Sequence, residues 1–419
     1  MRDYVKEIVD ILQEDNKVIL FSVGGDTLNI LRALKQRFNI LPTALCDNDI
    51  NKQGGTFNGL YGMKIYSPQK AYDHNPDAYW FVSSLDYKFE IIGELLHKYK
   101  VSKEKIINYE PVVWKKSCSY LEKSIVCDEY RRFSYCWYQP QTLNPIPFDG
   151  QYENSLSDFV KLRDNTIDCY NNQCQDCHIY CEGYYPKDRK IRWINYGIGG
   201  VCNFDCMYCR SNARHAKKID DQAPKLPALI QHLKDMNLLA DDYGINVAPG
   251  EPTVHPEKDS IFDSLDCYSN VINTNLYVYN EKLYKLTADK FTKLVVSIDS
   301  GTKETFKKVK GVDAFEQVCN NLKRFSNAGY GIIVLKYVFI PNVNDNEVDI
   351  EGFVNVCKNT GCLIGNISYD YGSPLPIPET TLQAMKKTKK ELLRNNILCT
   401  SNIVYSSSSY IDELKKINS

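Results

Sequence analysis

Apolar and polar positions along the chain switch between a helical and a strand period, and the switches divide it into three regions. Over residues 1–111 the two periods alternate. Val5, Ile8, Val9 and Leu12 form a helical stripe, and Lys17–Phe21 then reads as a buried strand. A tight turn at Ser22–Asp26 leads into a helix with Leu28, Leu31 and Leu34 on one face, and a short strand at Thr43–Cys46 ends in Asp47-Asn48-Asp49. Further strands are predicted at Ala78–Val82 and Lys105–Asn108, around a helix carrying Ile92, Leu95, Leu96 and Tyr99. Strands alternating with helices predict a parallel sheet.

The same alternation returns over residues 188–419. Strand patterns stand at Ile191–Tyr196, Gly244–Ala248, Ser269–Asn273, Lys293–Asp299, Ile332–Phe339 and Ile364–Tyr369. Between them lie helical stripes, one on Leu226, Leu229, Ile230, Leu233 and Met236, another on Phe315, Val318, Leu322 and Phe325 with Gly329 as its C-cap. From Pro111 to about Lys187 the regular pattern fades, prolines punctuate the chain and cysteines take over. The predicted organisation is α/β throughout: a Rossmann-like parallel sheet (1–111), a cysteine-rich segment (112–187), and a repeating strand-helix domain with a C-terminal extension (188–419).

At 419 residues the chain is long enough for two or three domains. Its formal net charge of −1 gives no electrostatic case for nucleic acid or for an anionic membrane. No basic and apolar leader opens it and no run of eighteen apolar residues appears, so a cytoplasmic location is expected. In such a chain the 16 cysteines point to metal ligation rather than disulfides.

Two cysteine groups stand out. Cys202, Cys206 and Cys209 follow a predicted strand at C-x3-C-x2-C spacing. Three thiolates can hold three corners of a [4Fe-4S] cluster and leave the fourth iron open, whereas closed tetrahedral zinc needs a fourth ligand, for which His215 is placed in sequence. The second group is Cys169-x4-Cys174-x2-Cys177-x3-Cys181, enough for a complete four-thiolate site holding iron-sulfur or zinc. Cys118, Cys127 and Cys136 precede it, and a part for them in holding a third cluster stays open.

The first cysteine group, with Tyr208 just before its last cysteine, resembles the signature of the radical S-adenosylmethionine (SAM) superfamily. That resemblance implies a partial (β/α)6 TIM barrel over roughly 190–370, a three-cysteine [4Fe-4S] cluster whose open iron chelates exchangeable SAM, and an electron donor such as flavodoxin or ferredoxin. In parallel barrels the loops after the strands gather at one face. On that face Pro249-Gly250-Glu251 is similar to the family's Gly-Gly-Glu, with Pro249 in place of the first glycine. Gly250 and Glu251 are then expected at the SAM ammonium, Ser297 and Asp299 near the ribose or neighbouring groups and Lys336 near the carboxylate, with Tyr208 and Asn275 also among the expected SAM-binding residues.

The four-cysteine group, with its Phe148-Asp149-Gly150 turn, looks like the SPASM or twitch extensions that hold auxiliary clusters, although those normally follow the barrel. The N-terminal region resembles the Rossmann-like modules of polysaccharide and sugar-nucleotide enzymes, through Gly24-Gly25, Asp47, Lys52, Gly54 and Gly55. It lacks a full G-x-G-x-x-G, and a nucleotide-free docking domain fits the same residues. The expected activity is reductive cleavage of SAM to a 5′-deoxyadenosyl radical, then hydrogen abstraction from a carbohydrate or nucleotide-linked small molecule. Two alternatives stay open: a SPASM-type peptide-modifying maturase, and a non-enzymatic iron-sulfur or zinc scaffold.

Overall fold

The computed structural model describes residues 3–136, 144–169, 174, 177, 179–199, 201–209, 222–370, 372–401 and 416–417; at 168 and 169 it describes the backbone alone. In the N-terminal region β1 (Val18–Phe21), β2 (Ala44–Cys46), β3 (Ile65–Tyr66) and β4 (Tyr79–Val82) form a parallel sheet of order β3-β2-β1-β4. The expected strand at Lys105–Asn108 is replaced by a 3-10 turn at Lys103–Lys105 and one bridge between Trp80 and Ile106. The physical reason is Asn108. Its side chain accepts from Val82 N (3.0 Å) and donates to Val82 O (2.7 Å), satisfying the edge that another strand would have paired.

The middle segment is more regular than its sequence suggests. β5 (Val112–Ser117) pairs antiparallel with β9 (Cys181–Pro186), and an 18-residue helix, Tyr152–Cys169, lies between them in sequence. β6 (Ser124–Cys127), β7 (Arg132–Ser134) and β8 (Ile146–Pro147) join a second, 10-stranded sheet with β10 (Ile191–Tyr196), β11 (Leu239–Val247), β12 (Ser269–Thr274), β13 (Thr292–Ser297), β14 (Ile332–Phe339), β15 (Ile364–Tyr369) and β16 (Leu398–Ser401). From β10 to β16 neighbours in sequence are parallel neighbours in the sheet, as a partial barrel requires. β6 extends it by pairing parallel with β10. β11 begins at Leu239, five residues ahead of its sequence pattern, because the charged Asp242 within it is neutralised by Lys88 from the N-terminal region at 2.6 Å.

The N-terminal region seats on the beginnings of the barrel strands. Leu28, Leu31 and Leu34 share a buried cluster with Tyr268, Ile332, Ile364 and Leu398, residues at or just before the starts of β12, β14, β15 and β16. Arg32 donates to Gly331 O at 2.8 Å and to Gly329 O at 2.6 Å, and Asn29 to Tyr330 O at 2.9 Å. Asp26 pairs with Lys293 of β13 at 3.0 Å. Strand ends are therefore left for the opposite face. Among the described residues no helix is long and apolar enough to cross a membrane.

Candidate active site

The loop carrying the three cysteines leaves β10 and is clipped on two sides. Glu251 N donates to Val201 O at 2.8 Å, fixing the loop to the turn after β11. On the other side Asp205 N donates to Lys310 O (3.0 Å) and Met207 N to Val309 O (2.9 Å), at the C-terminal end of the Lys303–Lys310 helix. Gly311 must be a glycine there. It caps that helix at φ +73°, and a Cβ would lie 2.9 Å from Asp205 O. Phe204 anchors the loop from below by packing edge-on against Phe306.

Cys202, Cys206 and Cys209 are each half-buried on this loop. Burial pushes the Cys202 thiol up to about 11, with Glu251, Cys206 and Cys209 adding to the shift, so the three sulfurs share one neighbourhood. Among the described residues no three His, Cys, Asp or Glu side chains converge as ligands of a single ion. The donor set fits a cluster that takes one thiolate per iron and keeps one iron open. His215 lies outside the described residues.

Glu251 is almost fully buried and its carboxylate organises the strand ends. Oε1 accepts from Thr253 N (3.1 Å), Thr253 Oγ1 (2.6 Å) and Thr274 Oγ1 (2.8 Å), and Oε2 from Asn275 N (2.6 Å). Burial nevertheless raises its pKa. Asn275 reaches the cysteine loop itself, donating to Asn203 Oδ1 at 2.7 Å with the Cys202 sulfur 3.9 Å away. Gly250, at φ +108°, passes directly beneath Ile198 and Gly199.

Asp299 stands just past the end of β13. It is fully buried, and its carboxylate accepts from Val338 N (2.7 Å), from the Tyr208 hydroxyl and from the Lys310 ammonium, which also donates to Tyr208 Oη at 2.8 Å. Burial alone would lower the Lys310 pKa, but Asp299 and then Cys206 outweigh it and leave it raised. Tyr208 is held well above its ordinary value, by burial first and Asp299 second. Ser297 adjoins the Tyr208 hydroxyl and stands opposite Lys336 in the β13/β14 register.

Sequence reasoning missed two features. Lys310 belongs to a lysine-rich helix end that reads as a solvated face, and only its burial reveals it. A polar ladder also crosses three strands: Asn246 Nδ2 donates to Asn195 Oδ1 at 3.1 Å and Asn273 Nδ2 to Asn246 Oδ1 at 3.0 Å. An Asn in each of three successive predicted strands was the available signal. Lys336 has no carboxylate partner among the described residues; burial lowers its pKa, with Asp299 opposing and Lys310 reinforcing the shift.

Of the four-cysteine group, the structure places Cys174 and Cys177 together and Cys181 on an exposed edge. Cys169 ends the Tyr152–Cys169 helix, and its side chain lies outside the described residues.

Residues 196–354 match the model of the radical SAM superfamily. The probable GTP 3′,8-cyclase of Saccharolobus islandicus (strain M.14.25 / Kamchatka #1) is 29% identical over 182 residues, covering 41% of this chain and 55% of the relative. The GTP 3′,8-cyclase of Clostridium botulinum (strain Okra / Type B1) is 22% identical over 174 residues, covering 41% and 54%. The chain thus spans about half the length of the curated relatives it matches. Among solved structures, Streptococcus suis SuiB bound to S-adenosylmethionine superposes with a TM-score of 0.40 at 13% identity, over 59% of this chain and 52% of that one.

Proposed function

From a chain that carries a radical SAM domain at residues 196–354, we propose an enzyme that reductively cleaves SAM and takes a hydrogen atom from a nucleotide or nucleotide-linked small molecule. The observation that carries this reading is convergence. The three-cysteine loop, the Gly250-Glu251 turn, Asn275 and the Tyr208–Asp299–Lys310 network meet past the ends of successive parallel strands. When bound, the cluster and SAM supply the electron and the sulfonium whose cleavage gives the 5′-deoxyadenosyl radical.

The chain's own residues do the rest. Cys202, Cys206 and Cys209 hold the cluster, and Asn275 together with Glu251 fixes the Cys202 side of the loop. Lys310 and Asp299 hold the Tyr208 hydroxyl, which fixes the end of the loop beside Cys209. Lys336, without a carboxylate partner among the described residues, offers its amine to an anionic group, the SAM carboxylate or a substrate phosphate. The Asn195–Asn246–Asn273 ladder gives the barrel interior hydrogen-bonding groups suited to a sugar or base. The nucleotide preference draws on the names of the relatives, GTP 3′,8-cyclases. The cysteine-rich segment before the barrel would hold an auxiliary iron-sulfur cluster, and a flavodoxin or ferredoxin would donate the electron.

The test is anaerobic incubation of reconstituted protein with SAM and dithionite, followed by quantitation of 5′-deoxyadenosine. Cleavage is expected in the wild type and is lost in Cys202→Ala, Cys206→Ala and Cys209→Ala. Ribose-deuterated GTP then probes the substrate class through deuterium entering 5′-deoxyadenosine. No 5′-deoxyadenosine from iron-replete protein refutes the activity. Cleavage without label transfer from any nucleotide refutes the substrate class alone.

A further inference from the structure

Three stretches of chain, distant in sequence, bring thiols to one place beside the barrel. Antiparallel pairing of β5 with β9 sets Ser117 opposite Cys181, so Cys118 leaves this ribbon beside the residues that enter it. The Tyr185 hydroxyl closes the junction by donating to Ser117 O (2.7 Å) and Cys181 O (2.9 Å). Just before the ribbon, Cys177 N donates to Cys174 O (3.1 Å) and Tyr180 N to Cys177 O (2.9 Å), bonds that keep these cysteines close. The third stretch follows β7. Tyr135 reaches Thr166 at 3.4 Å and also bonds the Cys174 thiol, and Cys136 comes next, its carbonyl held by Ser134 Oγ at 3.2 Å.

Cys118 lies within charge range of both Cys136 and Cys177, and Cys174 of Cys177. Cys118 is buried and the other three are half-buried. Cys127 does not take part. It is buried in β6, in register with Tyr196 of β10, and its charge neighbours are Asp128, Tyr152 and Tyr196. Cys181 is exposed, with its sulfur 3.8 Å from the Tyr185 hydroxyl.

We propose that Cys118, Cys136, Cys174 and Cys177 are the ligands of the auxiliary [4Fe-4S] cluster, in place of the sequence-contiguous set Cys169, Cys174, Cys177 and Cys181. This rests on the auxiliary-cluster reading given above. The inference adds its ligands. A cubane distributes its four thiolates over four irons, so they need not converge on one point, and none of its irons is left open to substrate.

The experiment uses full-length protein carrying Cys202→Ala, Cys206→Ala and Cys209→Ala, so that only the auxiliary site is counted. After anaerobic reconstitution it should retain about four irons and matching sulfide, the content of one cubane. Adding Cys118→Ser or Cys136→Ser should remove most of that iron or convert the reduced EPR signal to that of an incomplete cluster. Adding Cys127→Ser or Cys181→Ser should leave both unchanged. To separate ligand loss from misfolding, Cys118→Ser and Cys136→Ser are also made with the first cysteine group intact, where about four irons should still load at that first site. Loss of iron in the Cys127 or Cys181 variants with full retention in Cys118 and Cys136 overturns the ligand set. A background protein with zinc, or with no metal, overturns the auxiliary-cluster reading beneath it.

Discussion

The chain uses one piece of grammar twice: a buried parallel strand, a glycine turn, and a buried acid beside it. After β1 the turn holds Gly24 and Gly25, and Asp47 accepts from Val23 N at 2.6 Å while pairing with Lys52 at 3.0 Å. After β11 the turn holds Gly250, and Glu251 collects four protein donors. The turns differ in what lies across from them. A Cβ on Gly25 would stand 2.7 Å from Cδ of Lys293 at the start of a barrel strand, whereas one on Gly250 would stand 2.9 Å from Ile198 and 3.0 Å from Gly199 O, under the cysteine loop. One glycine lets the N-terminal region touch the barrel strands, and the other lets a loop settle over the strand ends. In both places glycine marks close approach of another part of the protein, and the neighbour decides whether that approach serves docking or chemistry.

The largest expected effect comes from Gly250→Val. The residue would have to hold φ +108°, which costs a non-glycine residue about 1–3 kcal/mol, and its side chain would push the cysteine loop away from Glu251. SAM cleavage should fall to background in protein whose circular dichroism is unchanged. Gly25→Leu should behave in the opposite manner, lowering the melting temperature by several degrees while 5′-deoxyadenosine formation per folded molecule stays near wild type. If Gly25→Leu instead leaves melting unchanged and raises only the KM for a nucleotide, the first turn is a ligand site and the contrast collapses.

Much of this was legible in the sequence where period and spacing agree. The cores of β10 to β15 follow apolar runs, and the residues past their ends are those that meet at the candidate site. What escaped depends on partners far along the chain. The Tyr152–Cys169 helix buries Leu156 and Phe159 but also Arg163, which breaks its apolar stripe. The first turn of β11 is hidden by Asp241 and Asp242, and only Lys88 explains why a charge can sit there. Asp299 reads as a strand-end acid expected near the ribose, and its burial comes from Lys310 and Tyr208, which no local pattern announces. The grouping of Cys118 with Cys136 follows from the pairing of β5 with β9 and from Tyr135, which sequence spacing does not encode.

A middle-sized effect tests the docking side from a second residue. Arg32 spends its guanidinium on the carbonyls of Gly331 and Gly329, with Ser326 O at 3.4 Å. Hydrogen bonds to a charged group contribute about 1.5–3 kcal/mol, and Arg32→Ala should destabilise the protein by about that amount in chemical denaturation. Gly25→Leu and Arg32→Ala should be less than additive in a double-mutant cycle, because both loosen the same seam. Full additivity would mean that the two contacts belong to independent features, and that the first turn's neighbour is not the docked face as a unit.

The smallest effect sharpens the comparison at its acids. Burial raises the Glu251 pKa, while hydrogen bonds from Thr253, Asn275 and Thr274 pull it down without cancelling the rise. The folded protein then keeps a proton on Glu251 where the unfolded chain, near the ordinary value of about 4.3, has released it. Linkage gives the sign: the Glu251 contribution to stability is complete below the ordinary carboxylate range and is lost as pH rises through the raised value. Glu251→Gln cannot titrate, and it turns an NH2 group toward a backbone donor that the carboxylate accepted, at a cost on the order of 1–3 kcal/mol. The stability gap between wild type and Glu251→Gln should therefore be widest on the acid side, narrow as pH rises through that window, and stay level above it. A gap that widens with rising pH would mean that the four donors hold the carboxylate below its ordinary pKa. Glu251 would then be an organiser of strand ends for which charge, rather than shape, is the operative property.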